Sequence, residues 1–493
     1  MRAEMKDDTI PTGVPGFDTL LGGGLPRRQS LVVTGDPGAG KTVLCSQIAF
    51  SFAKRGLPVV IATVTSEPHD KLLAAQRHFS FFDASRVGAE IFLVSAYPWL
   101  KTGAKEARDM LMSAVRERGA KLLFIDGLRG IRDLWENESL LREFMYDLNV
   151  GLNAADCIGL FTTEYPLTRL LELPEATTVD GIINLFMLRD GARRYRRAEV
   201  HKLRGRGHVS GSHVALIDGD GMRVVPRLEV LAQNRDVAVP PTTRASFALT
   251  ELDELLGGGV PRNSSTLIAG STGVGKTLLT AHFLSSGVKN GEHALFYSFF
   301  EPPANVIERA KRVGLDFSKP IADGLLDIQF HPPLEWEADM MVARMLDEVR
   351  AKKVSRLVLD SIIGLEQTIV EKERAASFLN ALVVELRALS VTTMMTKEVS
   401  KLVGPELDFS DTPITVAIEN LIFLRFVELR GRLHRILSVL KMRDSEYDGD
   451  VREFSIGPAG FKVLAPLSSA EGLLTGQARS IGTSVAPEGA RGK

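Results

Sequence analysis

The chain has little cysteine, no excess of charge of either sign and no long apolar run, and each shortage removes a class of protein. Only two of its 493 residues are cysteine, Cys45 and Cys157. That is too few for a disulfide framework, and both stand among apolar neighbours, where a small buried side chain is the expected role. Lys plus Arg number 60 and Asp plus Glu 61, for a net charge of -1, so the whole molecule is no polycation built to coat nucleic acid or anionic lipid. Nowhere do about 18 uncharged apolar residues follow one another, and the opening MRAEMKDDTIPTG lacks the apolar stretch of a secretory leader. Membrane spanning and secretion both lose support, and a cytoplasmic location is expected. With 44% hydrophobic and 25% charged residues the composition is that of a folded globular chain. At roughly 150 residues per domain its length suits two to four compact units.

What the chain does have, it has twice. Phe17 to Pro26 reads FDTLLGGGLP and Leu252 to Pro261 reads LDELLGGGVP, an offset of 235 (252 less 17). The offset persists at Gly35 and Gly270, becomes 234 at Glu67 and Glu301 and again at Asp126 and Asp360, and reaches 239 between KLRG at Lys202 and KMRD at Lys441. Motif order is kept while small insertions accumulate, the mark of a tandem duplication. The join falls near Val230 to Arg244, where Asn234, Asp236, Pro240 and Pro241 favour turns and extended backbone. The expected organisation is a first domain over 1–232, a linker over 233–246, a second domain over 247–465 and a loosely ordered tail over 466–493, rich in Ser, Gly and Ala.

Within each half, short apolar runs alternate with longer helical patterns. LVVT, VVIATV, KLLFID and IGLFTT are the candidate strands of the first half; STLIA, ALFYSF, RLVLD and VTTMMT hold the matching places in the second. Runs this short and continuous suit strands covered on both faces. Two α/β domains, each a mostly parallel sheet flanked by helices, are expected.

Each half also carries Gly, four residues, then Gly-Lys-Thr, directly after an apolar run and before a helical one. Gly35, Asp36, Pro37, Gly38, Ala39, Gly40, Lys41 and Thr42 form the first copy; Gly270, Ser271, Thr272, Gly273, Val274, Gly275, Lys276 and Thr277 form the second. Glycines let such a loop turn its N–H groups toward a polyphosphate, and the following helix aims the positive end of its dipole at the same anion. Lys41 and Lys276 would reach the β- and γ-phosphates, and the Thr42 and Thr277 hydroxyls would ligate Mg²⁺. A glycine-rich turn without a ligand is the plainer alternative, and two copies in register speak against it. Asp126 ends KLLFID and Asp360 ends SRLVLD, and each is the expected carboxylate on the metal side, acting through the ion's water shell. A lone Asp after a strand is ordinarily a turn or cap; its pairing with a phosphate loop in both halves favours the metal role. Hydrolysis further needs a group that orients or deprotonates water in line with the γ-phosphate. Glu67 in TVTSEP and Glu301 in SFFEPP follow the second strand of each half and are the candidates, against the ordinary alternative of a solvated loop carboxylate.

TGVPGFDTLLGGGLP, GDPGAGKT, the acidic step after the second strand, the strand-ending Asp and KLRG, all duplicated in order, resemble the KaiC family, RecA-superfamily ATPases of circadian clocks. The likeness runs from about Thr12 to about Phe461. It implies two tandem RecA-like P-loop NTPase domains, ATP and Mg²⁺ as ligands, and a double-ring homohexamer with nucleotide between subunits. It also implies ATP hydrolysis, serine/threonine autokinase activity, and clock or signalling proteins as partners, with neither nucleic acid nor membrane. On that resemblance Lys202 and Arg204, and Lys441 and Arg443, are carried to the neighbouring subunit's γ-phosphate. A Lys-x-Arg on a strand suits the task, because strand side chains repeat every two residues and both heads reach one face. Ordinary surface charges on an edge strand are the plainer alternative.

The chain departs from that family in two places. Adjacent glutamates follow the second strand in KaiC, the first usually favoured as the base, whereas Ser66-Glu67 and Phe300-Glu301 stand here. Turnover is therefore expected to be weak or rearranged, more so in the second half, since a phenyl ring cannot polarise water and Ser66 can hydrogen-bond it. The Ser-Thr pair that KaiC phosphorylates falls on Thr415 and Val416, counted back from FVELRG. Thr415 is the candidate phosphoacceptor, with Ser410 and Thr412 nearby, and a two-site cycle is not expected. A hydroxyl in DFSDTPIT is otherwise a turn or cap residue.

Other features admit simpler readings. GARRYRRAEV packs Arg193, Arg194, Arg196 and Arg197 around Tyr195, which reads as a solvated or interface hairpin turn before a nucleic-acid contact. His201, His208 and His213 cluster without the cysteines or HExxH of a metal site. Trp99, Trp135 and Trp336 are expected as core or interface anchors, and Thr162, Thr163 and Glu164 as γ-phosphate sensors. Beside the KaiC-like ATPase stand two rivals. One is a RecA-like or helicase-like DNA-dependent ATPase, and the other a nucleotide-locked scaffold suggested by Ser66 and Phe300.

Overall fold

The computed structural model describes residues 8–64, 69–135, 137–233, 235, 241–334, 336–399, 414–429, 431–443, 445–458, 460–466, 470–471 and 479–480, in two units that divide after Val230. In the first unit nine described strands form one sheet: β1 (Ser30–Gly35), β2 (Val59–Thr63), β3 (Ile91–Ser95), β4 (Leu122–Asp126), β5 (Ile158–Thr162), β6 (Gly181–Asp190), β7 (Arg193–Leu203), β8 (His213–Asp218) and β9 (Gly221–Val225). Their spatial order is β9-β8-β7-β6-β1-β5-β4-β2-β3. From β6 across to β3 every neighbouring pair is parallel, so helices must carry the chain back over the faces. From β6 to β9 the chain meanders antiparallel.

Alternation along the strands sorts the core. Leu31 and Val33 of β1 pack with Leu44, Ile48 and Phe52, which recur every fourth residue of helix α1 (Lys41–Lys54). Val32 points the other way, into a cluster with Leu111 of α3 (Ala104–Arg118) and Phe144 and Leu148 of α4 (Glu138–Ala154). Between these lies α2 (His69–Gln76). Strand residues buried on both faces give the continuous apolar runs that mark them in sequence. Of the three tryptophans, Trp135 is buried and donates from Nε1 to Leu100 O at 2.9 Å, Trp336 is part-buried against the Arg344 guanidinium, and Trp99 is exposed. The expectation of a core or interface anchor is met in the core only by Trp135.

The second unit repeats the plan with β10 (Ser265–Gly270), β11 (Ala294–Ser298), β12 (Leu326–Phe330), β13 (Arg356–Asp360), β14 (Thr392–Glu398), β15 (Asn420–Leu429), β16 (Arg432–Met442), β17 (Arg452–Gly457) and β18 (Gly460–Pro466). The order is β12-β11-β13-β14-β10-β15-β16-β17-β18, with α5 (Lys276–Lys289), α6 (Pro303–Arg312), α7 (Ala338–Lys352) and α8 (Ala375–Ala388) on its faces. Of the tail, the pair Ala470–Glu471 and Arg479–Ser480 is described, antiparallel. No helix among the described residues is long and apolar enough to cross a membrane.

The repeats solve one core position differently. Leu122 opens β4 fully buried, whereas its counterpart Arg356 opens β13 at 1% exposure, 2.8 Å from Glu292 Oε2. Arg356 also donates to Ser246 O and Phe283 O at 2.8 and 2.7 Å, and Arg262 grips the same carboxylate at 2.6 Å. Burial alone would raise the Glu292 carboxyl, but the hydrogen bonds and charges of Arg356 and Arg262 outweigh it and hold it below its ordinary value. The clamp is therefore complete at neutral pH and is lost as acid titrates the carboxyl. Arg356→Leu, the first repeat's solution without its surroundings, is expected to destabilise the second unit by about 3 kcal/mol, because two carbonyls lose their donor and the Glu292 carboxylate loses one of its two arginines. Urea unfolding of the full chain at neutral pH measures it, and the difference should shrink on acidification.

Candidate functional site

Both glycine loops stand at the carboxyl edge of the parallel strands, where open α/β sheets bind ligands. The first residue of the loop is steric necessity. Gly35 has φ +134°, and a Cβ there would lie 1.6 Å from Leu185 O on the neighbouring β6, so only glycine lets β1 keep its register and turn. At the far end Gly40, φ +101°, starts α1 with no side-chain cap. The first N–H groups of that helix are left facing the loop, as an anion requires. Gly275 starts α5 in the same way. A Cβ at Gly38 or Gly273 would meet nothing within 4 Å, so each loop is open on its inner side.

The lysines lie back on the loops they serve. Lys41 Nζ donates to Gly35 O and Asp36 O, both at 2.9 Å; Lys276 Nζ donates to Gly270 O and Ser271 O at 2.9 and 2.8 Å. Burial holds Lys41 below the ordinary lysine value against Glu164, Asp126 and Asp36, which act to raise it. Lys276 is lowered by burial against Glu398 and Asp360. The two predicted metal-side pairs come together. Thr42 Oγ1 is 3.4 Å from Asp126 Oδ2 and Thr277 Oγ1 is 2.7 Å from Asp360 Oδ2. The other carboxylate oxygen accepts from Thr162 Oγ1 at 2.5 Å in the first unit and from Thr396 in the second. Thr162 also accepts from Gly127 N, so the hydroxyl expected as a sensor braces Asp126. The donor set, a hydroxyl and a carboxylate beside a phosphate loop, is the hard-oxygen chemistry that Mg²⁺ takes.

Two arginines complete the cradles, and both were hidden in sequence by their setting. Arg196, in the basic stretch expected as a solvated or interface turn, reaches Gly38 O at 3.4 Å, and burial lowers its pKa. Its second-unit counterpart Arg435 lines the same cavity as Gly273, Gly275 and Lys276. The Nε–H of each is buried without a hydrogen-bond partner. An orphaned donor beside each glycine loop fits a bound anion. The signal was available: 196 to 435 is the offset of 239 that also relates Lys202 to Lys441. Arg196 is part-buried and the adjoining Arg197 is buried, so of the expected solvated or interface turn the solvated alternative does not describe these two residues. The floor beyond Gly40 is aliphatic, Ile217 and Met222, while that beyond Gly275 is Ile456 beside stacked Phe454 and Phe461.

The Lys-x-Arg pairs are elsewhere. Lys202 Nζ donates to Ala176 O and Val179 O at 2.8 and 2.7 Å, Arg204 donates to Thr177 O at 3.0 Å, and Lys441 Nζ donates to Ile418 O at 2.7 Å. Arg196 pairs with Met187 beyond the end of β1, whereas Lys202 pairs with Ile182, which lies beside Val32 inside β1. Six strand residues, roughly 20 Å, separate the arginine at the cradle from the lysine. Arg204 and Arg443 are exposed.

In the second unit a cavity of about 750 Å³ opens over the loop, lined among others by Lys276, Thr277, Asp360, Phe300, Glu301 and Arg309. Glu301 thus stands in the wall of the cavity over the loop. Ser66 and Glu67 lie outside the described residues, as do Ser410, Thr412 and the side chains of Thr415 and Val416. His213 is a core residue whose Nδ1 accepts from Arg227 N at 3.0 Å.

The fold and the two cradles define a tandem P-loop NTPase of the RecA-like type. The family model "ATPase: KaiC" matches residues 10–229 and again 247–468, and the chain belongs to that family. It is similar to the "Circadian clock protein KaiC3" of Synechocystis sp., 29% identical over 489 residues that cover 95% of this chain and 94% of the relative. It is similar also to the "Circadian clock oscillator protein KaiC" of Rippkaea orientalis, 28% identical over 95% of this chain and 91% of the relative, and of Parathermosynechococcus lividus, 27% over 94% and 87%.

Asp126 sits in a setting that disfavours its charge in the ligand-free fold. Burial pushes its carboxyl above the ordinary value, although hydrogen bonds from Thr162 and Thr42 and the charge of Lys41 oppose it. A carboxyl that the fold prefers protonated makes its ionised form a destabilising one at neutral pH, and that penalty disappears as pH falls through the unfolded aspartate range. Asp126→Asn should therefore raise the thermal midpoint of the nucleotide-free protein at neutral pH, by a margin that shrinks on acidification. It should weaken Mg²⁺-dependent nucleotide binding at the same time. Differential scanning calorimetry and a fluorescent ATP analogue read the two effects.

Proposed function

We propose that this protein binds MgATP in both cradles and hydrolyses it as a subunit of a double-ring homohexamer. Occupancy and turnover then alter ring geometry and the docking of clock or signalling partners. The observation that carries the reading is the pair of equivalent constellations, a lysine folded onto its own glycine loop beside a Thr–Asp pair, at the same edge of both sheets. The loop N–H groups, Lys41 or Lys276, and Arg196 or Arg435 would hold the polyphosphate. Thr42 with Asp126, and Thr277 with Asp360, would hold Mg²⁺, which when bound neutralises charge on the phosphate oxygens. Glu67 and Glu301 are the groups to orient water for attack.

The distance between cradle and Lys-x-Arg supports the ring. Lys202 and Arg204 sit roughly 20 Å along the sheet from their own loop, so any γ-phosphate they touch belongs to another subunit. Autokinase activity with Thr415 as acceptor, and a cytoplasmic location, belong to the same proposal by family membership. A second reading, retention of nucleotide with little turnover in the second cradle, is favoured by Phe300, 51% exposed on the cavity wall.

Steady-state phosphate release separates these readings. Glu67→Gln with Glu301→Gln is expected to lower turnover roughly a hundredfold, whereas background turnover in the wild type would point to a scaffold. Native mass measurement should give a hexamer in MgATP that weakens in ADP, by mass action on a ligand that bridges chains. Arg204→Ala and Arg443→Ala should each reduce turnover by roughly tenfold or more with the circular dichroism unchanged. A chain that stays monomeric in saturating MgATP overturns the ring.

A further inference from the structure

The helix that follows the second strand carries a charge in the second unit at a position that is aliphatic in the first. Arg309 stands on α6, and the 234-residue offset of this region lands on Ala75 of α2. Its guanidinium NH1 is 3.0 Å from Glu301 Oε1, with both side chains only part-exposed at 46% and 33%. Arg309 lines the same cavity as Lys276, Thr277 and Asp360, so the pair forms part of the nucleotide site's wall. The rest of Glu301 is turned to the protein. Its backbone N–H donates to Ser298 Oγ at 3.0 Å, and its Oε2 is buried without a hydrogen-bond partner.

That arrangement does not suit a group at work on water. An acceptor for the attacking water's proton must present a lone pair within hydrogen-bond reach of it. Here one carboxylate oxygen is turned to α6 and held by an arginine, and the other is enclosed by protein. An orphaned buried oxygen is itself unfavourable, so the conformation persists because the ion pair holds it. Phe300 covers the adjoining wall and supplies no second acceptor. We propose that Arg309 is a positioning residue that parks Glu301 away from the cradle, so that the second site retains its nucleotide until the ion pair opens. The inference rests on the reading that Glu301 acts on water. The first repeat, with Ala75 at the matching place, has no such restraint from this helix position.

A restraint predicts a gain on removal, which a merely structural residue does not. In full-length protein carrying Glu67→Gln, phosphate release reports the second cradle. Arg309→Ala should raise that rate by roughly two- to fivefold, the range set by breaking one part-exposed ion pair, at an unchanged half-saturating ATP concentration. Arg309→Lys should keep the low rate. Adding Glu301→Gln should abolish the gain. The restraint is overturned if Arg309→Ala leaves the rate unchanged or lowers it while Glu301→Gln still slows the enzyme. It is overturned equally if the acceleration survives Glu301→Gln. If Glu301→Gln alters nothing in either background, the assignment of Glu301 to water fails instead, and the restraint with it.

Discussion

A polyphosphate cradle has to be charged, dry and unfilled before its ligand arrives, and the rest of this structure follows from how that is tolerated. Lys41 is a buried cation and Lys276 a part-buried one, and among the described residues no carboxylate is hydrogen-bonded to either. Each survives by donating to two carbonyls of its own loop. Those carbonyls point inward because a glycine opens each loop against the neighbouring strand, and the loop can lie there because the parallel strands beneath it end together. Continuous burial of the strands on both faces is thus the condition for a rigid edge. The rigid edge is in turn the condition for holding unsatisfied N–H donors and a desolvated Asp126 in place.

Duplication makes the molecule its own control. The same scaffold accommodates Leu122 in one core and the Arg356–Glu292–Arg262 clamp in the other. It accommodates an aliphatic floor of Ile217 and Met222 beside one loop and an aromatic-lined one beside the other. What does not vary is the loop, its lysine, the Thr–Asp pair, and the arginine on the antiparallel hairpin. On the proposed function, elements shared by both copies answer to a common ligand, and those that differ are where the two cradles would diverge. The Arg309–Glu301 pair is of the second kind.

Much of this was legible in the sequence. The repeat, the eight candidate strands, the mostly parallel sheets and the loop–lysine–aspartate constellation all showed, because strands covered on both faces leave continuous apolar runs and phosphate loops constrain glycine positions closely. The strands Ile91–Ser95 and Leu326–Phe330 escaped notice. They lie at the sheet edges and are only partly buried, so their pattern is weak. Arg196 and Arg435 escaped for another reason. In a cluster of arginines on a turn, composition cannot say which one bends back over a loop some 158 residues earlier in the chain. Glu301's neighbourhood was equally silent, since the charge on Arg309 reads in sequence as one more basic residue on a polar helix whose last turn also holds Lys311 and Arg312.

In the proposed ring the antiparallel hairpins would make the cradles more than two independent sites. On one strand, β7, Arg196 stands at the chain's own loop and Lys202 near the opposite edge, where its head caps the backbone of residues 176–179. On β16, Arg435 and Lys441 repeat the arrangement. A hydrogen-bonded strand paired along its length to β6 or β15 is stiff, so displacement at one end is transmitted to the other instead of being absorbed by a loop. In the proposed ring each such strand would touch its own nucleotide with one basic residue and the neighbour's with another. In such a ring that geometry would give nucleotide state a mechanical route from subunit to subunit without any contact between the nucleotides themselves, which would account for the antiparallel half of the sheet in both copies.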